Sequence, residues 1–158
     1  MKKKIIILGS TGSIGVNTLK VVKNNKKDFE VLLLSTNKNV KKIINQAKEF
    51  KVKNVIINDF NQFKKAQKNY KKLKIKFFNK FDSINKILRK KKIYYSMVSV
   101  SGLDGLKPTI ILSKYSNNLA IVNKESLICG WNLIKNALDK NKCNFIPIDS
   151  EHYSIHSL

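Results

Sequence analysis

Seven short runs rich in Ile and Val recur along the chain, each separated from the next by a longer, Lys-rich segment with apolar residues at helical spacing. That alternation constrains the fold more than any other feature. Two parallel strands need a crossover of a dozen or more residues between them, and a helix is the usual way to supply it. The strand candidates are Lys4–Leu8, Val31–Ser35, Asn54–Asn58, Ile75–Phe78, Tyr94–Val100, Leu119–Val122 and Phe145–Ile148. Helices are expected over Ser13–Asn24, Val40–Phe50, Phe60–Tyr70, Ser83–Lys90, Leu106–Tyr115 and Ser126–Asn141. These elements fill 158 residues without a long unexplained loop. The expected fold is α/β, a Rossmann-like, doubly wound and mostly parallel sheet. Its domain should span residues 1–149, with 150–158 opening a further unit.

The first strand candidate runs directly into Gly9-Ser10-Thr11-Gly12-Ser13-Ile14-Gly15 and then into a helical pattern. A glycine turn in that place is suited to phosphate. Gly9 permits the tight turn, Gly12 lets a pyrophosphate approach the backbone, and Gly15 lets the helix pack closely. Free amides and the positive end of the helix dipole then face the phosphates. The spacing is GxxGxxG, not the usual GxGxxG, and a turn without a ligand is the alternative.

NAD-specific sites place Asp or Glu at the end of the second strand to hold the ribose hydroxyl. Here that segment reads Ser35-Thr36-Asn37-Lys38-Asn39, with no carboxylate and with a cation at Lys38. This favours NADP, the alternative being that Lys38 is one more surface lysine.

Two further strand ends carry candidate chemistry. Asp149 and Glu151 lie two residues apart after Ile148, which in extended backbone places both side chains on one face, a donor set suited to Mg2+ or Mn2+. A helix amino terminus capped by Asp149 or Ser150, with Glu151 in its first turn, accounts for the same residues. His152 and His156 are spaced as a helical pair but lack the adjoining Glu of the metalloprotease pattern. After Leu119–Val122 come Asn123, Lys124, Glu125 and Ser126, where Lys124 either meets an anionic substrate or is solvated while Asn123 or Ser126 caps a helix.

The formal net charge of +22 raises nucleic acid as a partner. Yet every basic residue except Arg89 is Lys, and the lysines are spread along the chain beside abundant Asn and Ile. Base reading favours Arg, so a compositional bias explains the charge better than a specific nucleic-acid site. Cys129 and Cys143 are too few for a disulfide framework. No run approaches the ~20 apolar residues of a membrane helix, and a cytoplasmic placement without a membrane partner is expected.

Taken together, GSTGSIG, Asn37-Lys38-Asn39-Val40, LAIVNKESLICGW and PIDSEHYSIHSL resemble, in order and approximate spacing, the 1-deoxy-D-xylulose 5-phosphate reductoisomerase family. The resemblance covers the whole chain, as the amino-terminal part of much longer enzymes. It implies that Thr11, Gly12, Ser13 and Ile14 cradle the NADPH pyrophosphate, and that Asn37, Lys38 and Asn39 hold the adenosine ribose phosphate. It implies that Asn123 and Glu125 line the nicotinamide side. Lys124, Ser150 and Glu151 would touch the sugar-phosphate substrate, Asp149 and Glu151 would hold Mg2+ or Mn2+, and Lys124 and Glu151 would take catalytic roles. The full-length family is expected to form homodimers. A third metal carboxylate, the substrate-phosphate site and a lid are expected beyond Leu158, so that the chain by itself binds NADPH without turning substrate over. A non-catalytic NADP-binding protein is the competing expectation.

Overall fold

A computed structural model describes residues 1–89 and 91–148. Seven strands form a single sheet, in chain order β1 (Lys3–Leu8), β2 (Phe29–Thr36), β3 (Asn54–Ile57), β4 (Lys76–Phe78), β5 (Ile93–Val98), β6 (Ser116–Ile121) and β7 (Asn144–Pro147). Every pairing is parallel, and the spatial order is β4-β3-β2-β1-β5-β6-β7. The order reverses between β1 and β5, which makes their carboxyl ends the topological switch point.

The crossovers are α1 (Ser13–Asn24), α2 (Val40–Glu49), α3 (Phe60–Asn69), α4 (Ser83–Leu88), α5 (Leu106–Ser113) and α6 (Lys124–Asn141). Right-handed crossovers place α1, α2 and α3 on one face and α4, α5 and α6 on the other. The two cores follow that division. Ile5, Ile7, Leu34, Val55 and Met97 pack with Leu19, Ile43 and Ala66, whereas Ile6, Leu8, Leu33 and Val98 pack with Ile84, Leu112, Ile134 and Leu138. β1 therefore serves both cores, and its run Ile6-Ile7-Leu8 has no exposed surface. A strand buried on both faces reads as continuous hydrophobicity, which is how this one was visible in the sequence.

The helix starts have local causes. Asn39 accepts from Lys42 N at 3.2 Å to cap α2, and Asp59 accepts from Gln62 N at 2.8 Å to cap α3. Asn123 does the same for α6 by accepting from Ser126 N at 2.8 Å, so that helix begins at Lys124, two residues before the expected Ser126. β6 also starts earlier than expected, at Ser116. Its polar residues Ser116, Asn117 and Asn118 hid the strand, but a buried hydroxyl pair, Ser96 Oγ to Ser116 Oγ at 2.7 Å, and Asn118 Nδ2 donating to Tyr94 O knit it to β5. A short 3-10 turn, Leu103–Gly105, precedes α5 and had no signature in the sequence. No described helix is long and apolar enough to cross a membrane.

The two thiols have different surroundings. Cys129 is exposed on α6, whereas Cys143, just before β7, is buried, and burial pushes its thiol from the ordinary 9.0 up to about 11, against the opposing charge of Lys92. At pH 8 a disulfide reagent should label one thiol per folded chain, at Cys129, and the second only in denaturant. Rapid labelling of both in the folded chain would contradict this packing. The sign of the linkage is also set. The fold prefers the neutral thiol, so its contribution is intact below pH 9 and is lost as pH rises towards 11.

Candidate dinucleotide site at the switch point

The carboxyl ends of β1, β2, β5 and β6 meet around the glycine loop that joins β1 to α1. Gly9 has φ +76°, and a Cβ there would lie 2.2 Å from Ser99 O. At Gly15 a Cβ would lie 2.4 Å from Gly9 O and 2.5 Å from Ser10 Cα. Both glycines are therefore required by the chain itself, and Gly15 lets the helix close on its own loop more than on the sheet. Gly12 is different. It is exposed, its backbone is extended (φ −76°, ψ 173°), and a Cβ there would meet only Gly9 O, at 3.4 Å. Nothing in the chain demands glycine at this position.

Gly12 is also the residue preceding α1, and it offers no side-chain cap. The amides of Ser13, Ile14 and Gly15 consequently have no carbonyl within the helix to donate to, and the first such bond is Val16 N to Gly12 O at 2.9 Å. Open amides at the positive end of a helix, beside a position without a side chain, form a cradle for an anion.

The loop is tied down from the β2 side. Gly9 N donates to Ser35 Oγ at 2.9 Å, Ser10 N to Ser35 O at 2.9 Å, and the Thr11 and Thr36 hydroxyls are 2.7 Å apart. From α2, buried Gln46 accepts from Ser10 Oγ through Oε1 and donates from Nε2 to Ser10 O, both at 2.8 Å. One turn earlier on the same helix, Lys42 Nζ donates to Thr11 O at 2.9 Å. From β5, Ser99 N and Oγ both donate to Leu8 O, at 3.0 and 2.7 Å. Loop, strand end and α2 thus form one hydrogen-bonded body.

Two adjoining cavities open on either side of Gly12. One, of about 210 Å³, is lined by Gly12, Ser13, Ile14, Ser99, Val100, Ser101, Val122, Asn123 and Glu125. The other, of about 220 Å³, is lined on the β2 side by Thr11, Ser35, Thr36 and Asn37, with Asn58, Phe81 and Asp104 beyond, and it shares Ser99, Val100 and Ser101 with the first. The residues read from sequence distribute accordingly. Gly12, Ser13, Ile14, Asn123 and Glu125 meet around the first cavity, while Thr11 and Asn37 meet around the second.

Three of the expected residues stand otherwise. Lys38 is exposed, lines neither cavity, and contributes its carbonyl to Val40 N. The Asn39 side chain is engaged in capping α2. Lys124 is exposed at the first position of α6 and lines neither cavity. Asn123 lines the first cavity, but its side chain is occupied, with Nδ2 donating to Val100 O and Gly102 O while Oδ1 caps α6. It holds the segment after β5 against the helix after β6.

Asp149, Ser150 and Glu151, read as metal and substrate residues, lie outside the described residues, as does the expected unit 150–158. Ile148 N, donating to Ile121 O at 3.3 Å, brings the chain to the edge of the sheet that carries Asn123. Among the described residues no group of three or more His, Cys, Asp or Glu side chains is placed to hold a metal ion.

Sequence reasoning missed Ser35, Lys42, Gln46 and Ser99–Ser101. Gln46 had a signal, a polar residue among the apolar positions Ile43, Ile44 and Ala47 of an amphipathic helix. Lys42 had none, being one of many lysines.

A glycine loop at the switch point of an all-parallel doubly wound sheet defines a Rossmann-type domain. The sequence model of 1-deoxy-D-xylulose 5-phosphate reductoisomerase matches residues 5–130. The reductoisomerase of Pelagibacter ubique is 56% identical over 157 residues, which cover 99% of this chain and 40% of that protein. That of Clostridium tetani is 36% identical over 157 residues, covering 97% and 40%. Among solved structures, the reductoisomerase from Zymomonas mobilis in complex with NADPH superposes with a TM-score of 0.87 at 27% identity, over 96% of this chain and 40% of that one. A reductoisomerase in complex with NADPH, fosmidomycin and magnesium gives 0.84 at 25%, over 95% and 37%. The chain belongs to the 1-deoxy-D-xylulose 5-phosphate reductoisomerase family, and it spans about 40% of the length of the relatives it matches.

Proposed function

We propose that residues 1–149 are the NADPH-binding unit of a 1-deoxy-D-xylulose 5-phosphate reductoisomerase, and that 150–158 begin its catalytic part. The observation that carries the reading is the amide cradle at Gly12, where open amides of α1 meet a position the chain has no structural reason to keep as glycine. It fits a pyrophosphate, and cavities on both sides leave room for the two halves of a dinucleotide. Thr11, Thr36 and Asn37 on the β2 side would then hold the adenosine half, Asn123 and Glu125 on the β6 side would hold the nicotinamide half, and Ser99–Ser101 would lie between the two.

In the complete protein the proposed reaction rearranges the substrate's carbon skeleton and reduces the resulting aldehyde to 2-C-methyl-D-erythritol 4-phosphate. NADPH, when bound, supplies the hydride. The residues of this chain orient it. The Ser10–Gln46 pair fixes the loop, and Asn123 fixes the Val100–Gly102 segment, which would face the nicotinamide. Asp149 and Glu151 are proposed as oxygen ligands of Mg2+ or Mn2+, with Ser150 and Lys124 beside the substrate and Lys124 and Glu151 in catalytic roles.

The absence of a carboxylate in Ser35–Asn39 predicts that NADPH binds this chain more tightly than NADH, and that Lys38→Glu narrows or reverses the difference. Titration calorimetry with both cofactors measures it. Equal affinities in the unaltered chain would remove the NADPH reading.

A further inference from the structure

We infer that Lys42 is a specificity-determining residue, a second cation that contacts the 2'-phosphate of the cofactor's adenosine ribose. The inference rests on the NADPH reading above and adds to it a residue that neither the strand-end motif nor the loop motif contains.

Lys42 occupies the third position of α2, where its own amide is capped by Asn39 Oδ1. Side chains on a helix lean towards its amino terminus, so a long one at this position reaches back over the residues that precede the helix. Its ammonium ends 2.9 Å from Thr11 O, across 31 residues of sequence. Other lysines make contacts away from this loop: Lys23 and Lys107 pair with carboxylates, and Lys2 and Lys92 donate, as Lys42 does, to backbone carbonyls. Among the described residues, Lys42 is the lysine whose ammonium is held to the glycine loop.

The place where it is held matters. Thr11 is joined to the end of β2 by the 2.7 Å contact between its hydroxyl and that of Thr36. The ammonium is therefore held to a loop residue that is itself joined to the strand end, beside which a doubly wound fold seats the adenosine ribose and its 2'-oxygen. An ammonium carries three donors, and Thr11 O takes one, which leaves two for phosphate oxygens.

Charge gives the second ground. A phosphate monoester carries about 1.5 to 2 negative charges at neutral pH. Lys38 brings one positive charge, and Asn39, whose side-chain oxygen caps α2, can offer the phosphate a hydrogen bond from its amide nitrogen but no charge. One more cation is needed for neutralisation, and Lys42 is already positioned. A lysine that bridges Thr11 O and the 2'-phosphate also ties that phosphate to the loop beneath the pyrophosphate.

Adenosine 2',5'-bisphosphate and AMP differ only in the 2'-phosphate, and their dissociation constants by calorimetry separate a phosphate contact from a loop contact. Lys42→Met should weaken the bisphosphate by roughly 10- to 100-fold, the range of a lost charge-assisted hydrogen bond, and change AMP by less than about twofold. Lys42→Arg, which keeps the charge, should retain most of the preference. Lys68→Met, on exposed α3, controls for the general positive field and should leave the ratio unchanged. An equal loss for both ligands would make Lys42 a clamp on the loop and overturn the inference, as would no loss for either. If the unaltered chain binds the two ligands equally, the NADPH reading itself fails, and that result is distinct from the other two.

Discussion

Gly9→Ala should destabilise the domain by about 3 kcal/mol or more, a large fraction of the ~5–15 kcal/mol that holds a typical domain together. Two causes add. At φ +76° a side chain costs roughly 1–2 kcal/mol in backbone strain. The new Cβ would also stand 2.2 Å from Ser99 O and 2.7 Å from Ser99 C, both backbone atoms that no rotamer change can move. Relief requires Ser99 to back away, which breaks its 3.0 Å bond to Leu8 O and loosens β1 from β5 at the core of the sheet. Strain of that kind typically adds 1–3 kcal/mol. Urea unfolding followed by circular dichroism should show a lower midpoint with an unchanged slope. A midpoint equal to that of the unaltered chain would mean that the turn is not built as described.

Gly12→Val should do the opposite, leaving the fold nearly intact while abolishing dinucleotide binding. Its extended backbone suits a β-branched residue, and the nearest atom to the new Cβ is at ordinary contact distance. The stability change should therefore stay below about 1 kcal/mol, the scale of replacing glycine at a helix cap. The two methyl groups, however, would stand over the open amides of α1, in the mouth shared by both cavities. Affinity for NADPH should fall by at least about 100-fold, the equivalent of losing two charge-assisted bonds to the pyrophosphate. Enhancement of NADPH fluorescence on titration reads the affinity, and a thermal melt reads the fold. Wild-type affinity in a folded Gly12→Val chain would place the pyrophosphate elsewhere.

The contrast between these glycines marks how far the sequence was legible. Short apolar runs and long amphipathic segments announced the strands and helices because burial on two faces or on one stripe leaves a periodic trace. Boundaries were less visible where polar residues make the decisive contact, as Ser116 does with Ser96 across β5 and β6, or Asn123 at the start of α6. The loop motif identified Gly9, Gly12 and Gly15 together, but their separate reasons depend on which backbone atoms crowd each one, and Ser99 arrives from 90 residues away. Lys38 is legible as a candidate because it sits in the strand-end motif. Only folding brings the Lys42 side chain back to Thr11. A lysine-rich composition erases the contrast by which one lysine stands out.

The place of β1 between β2 and β5 has a consequence for how the chain is made. Among the described strands, β1 is the one that must wait longest during synthesis for its second neighbour, since β5 ends at Val98. At ~5–20 residues per second, roughly 5 to 18 seconds pass between synthesis of the two. Through that interval Ile5–Leu8, a continuous apolar segment that ends with almost no exposed surface, is available to neighbouring nascent chains. Lys2, Lys3 and Lys4 stand directly before it, and their like charges act as a gatekeeper, holding such segments apart until the sheet can close over them.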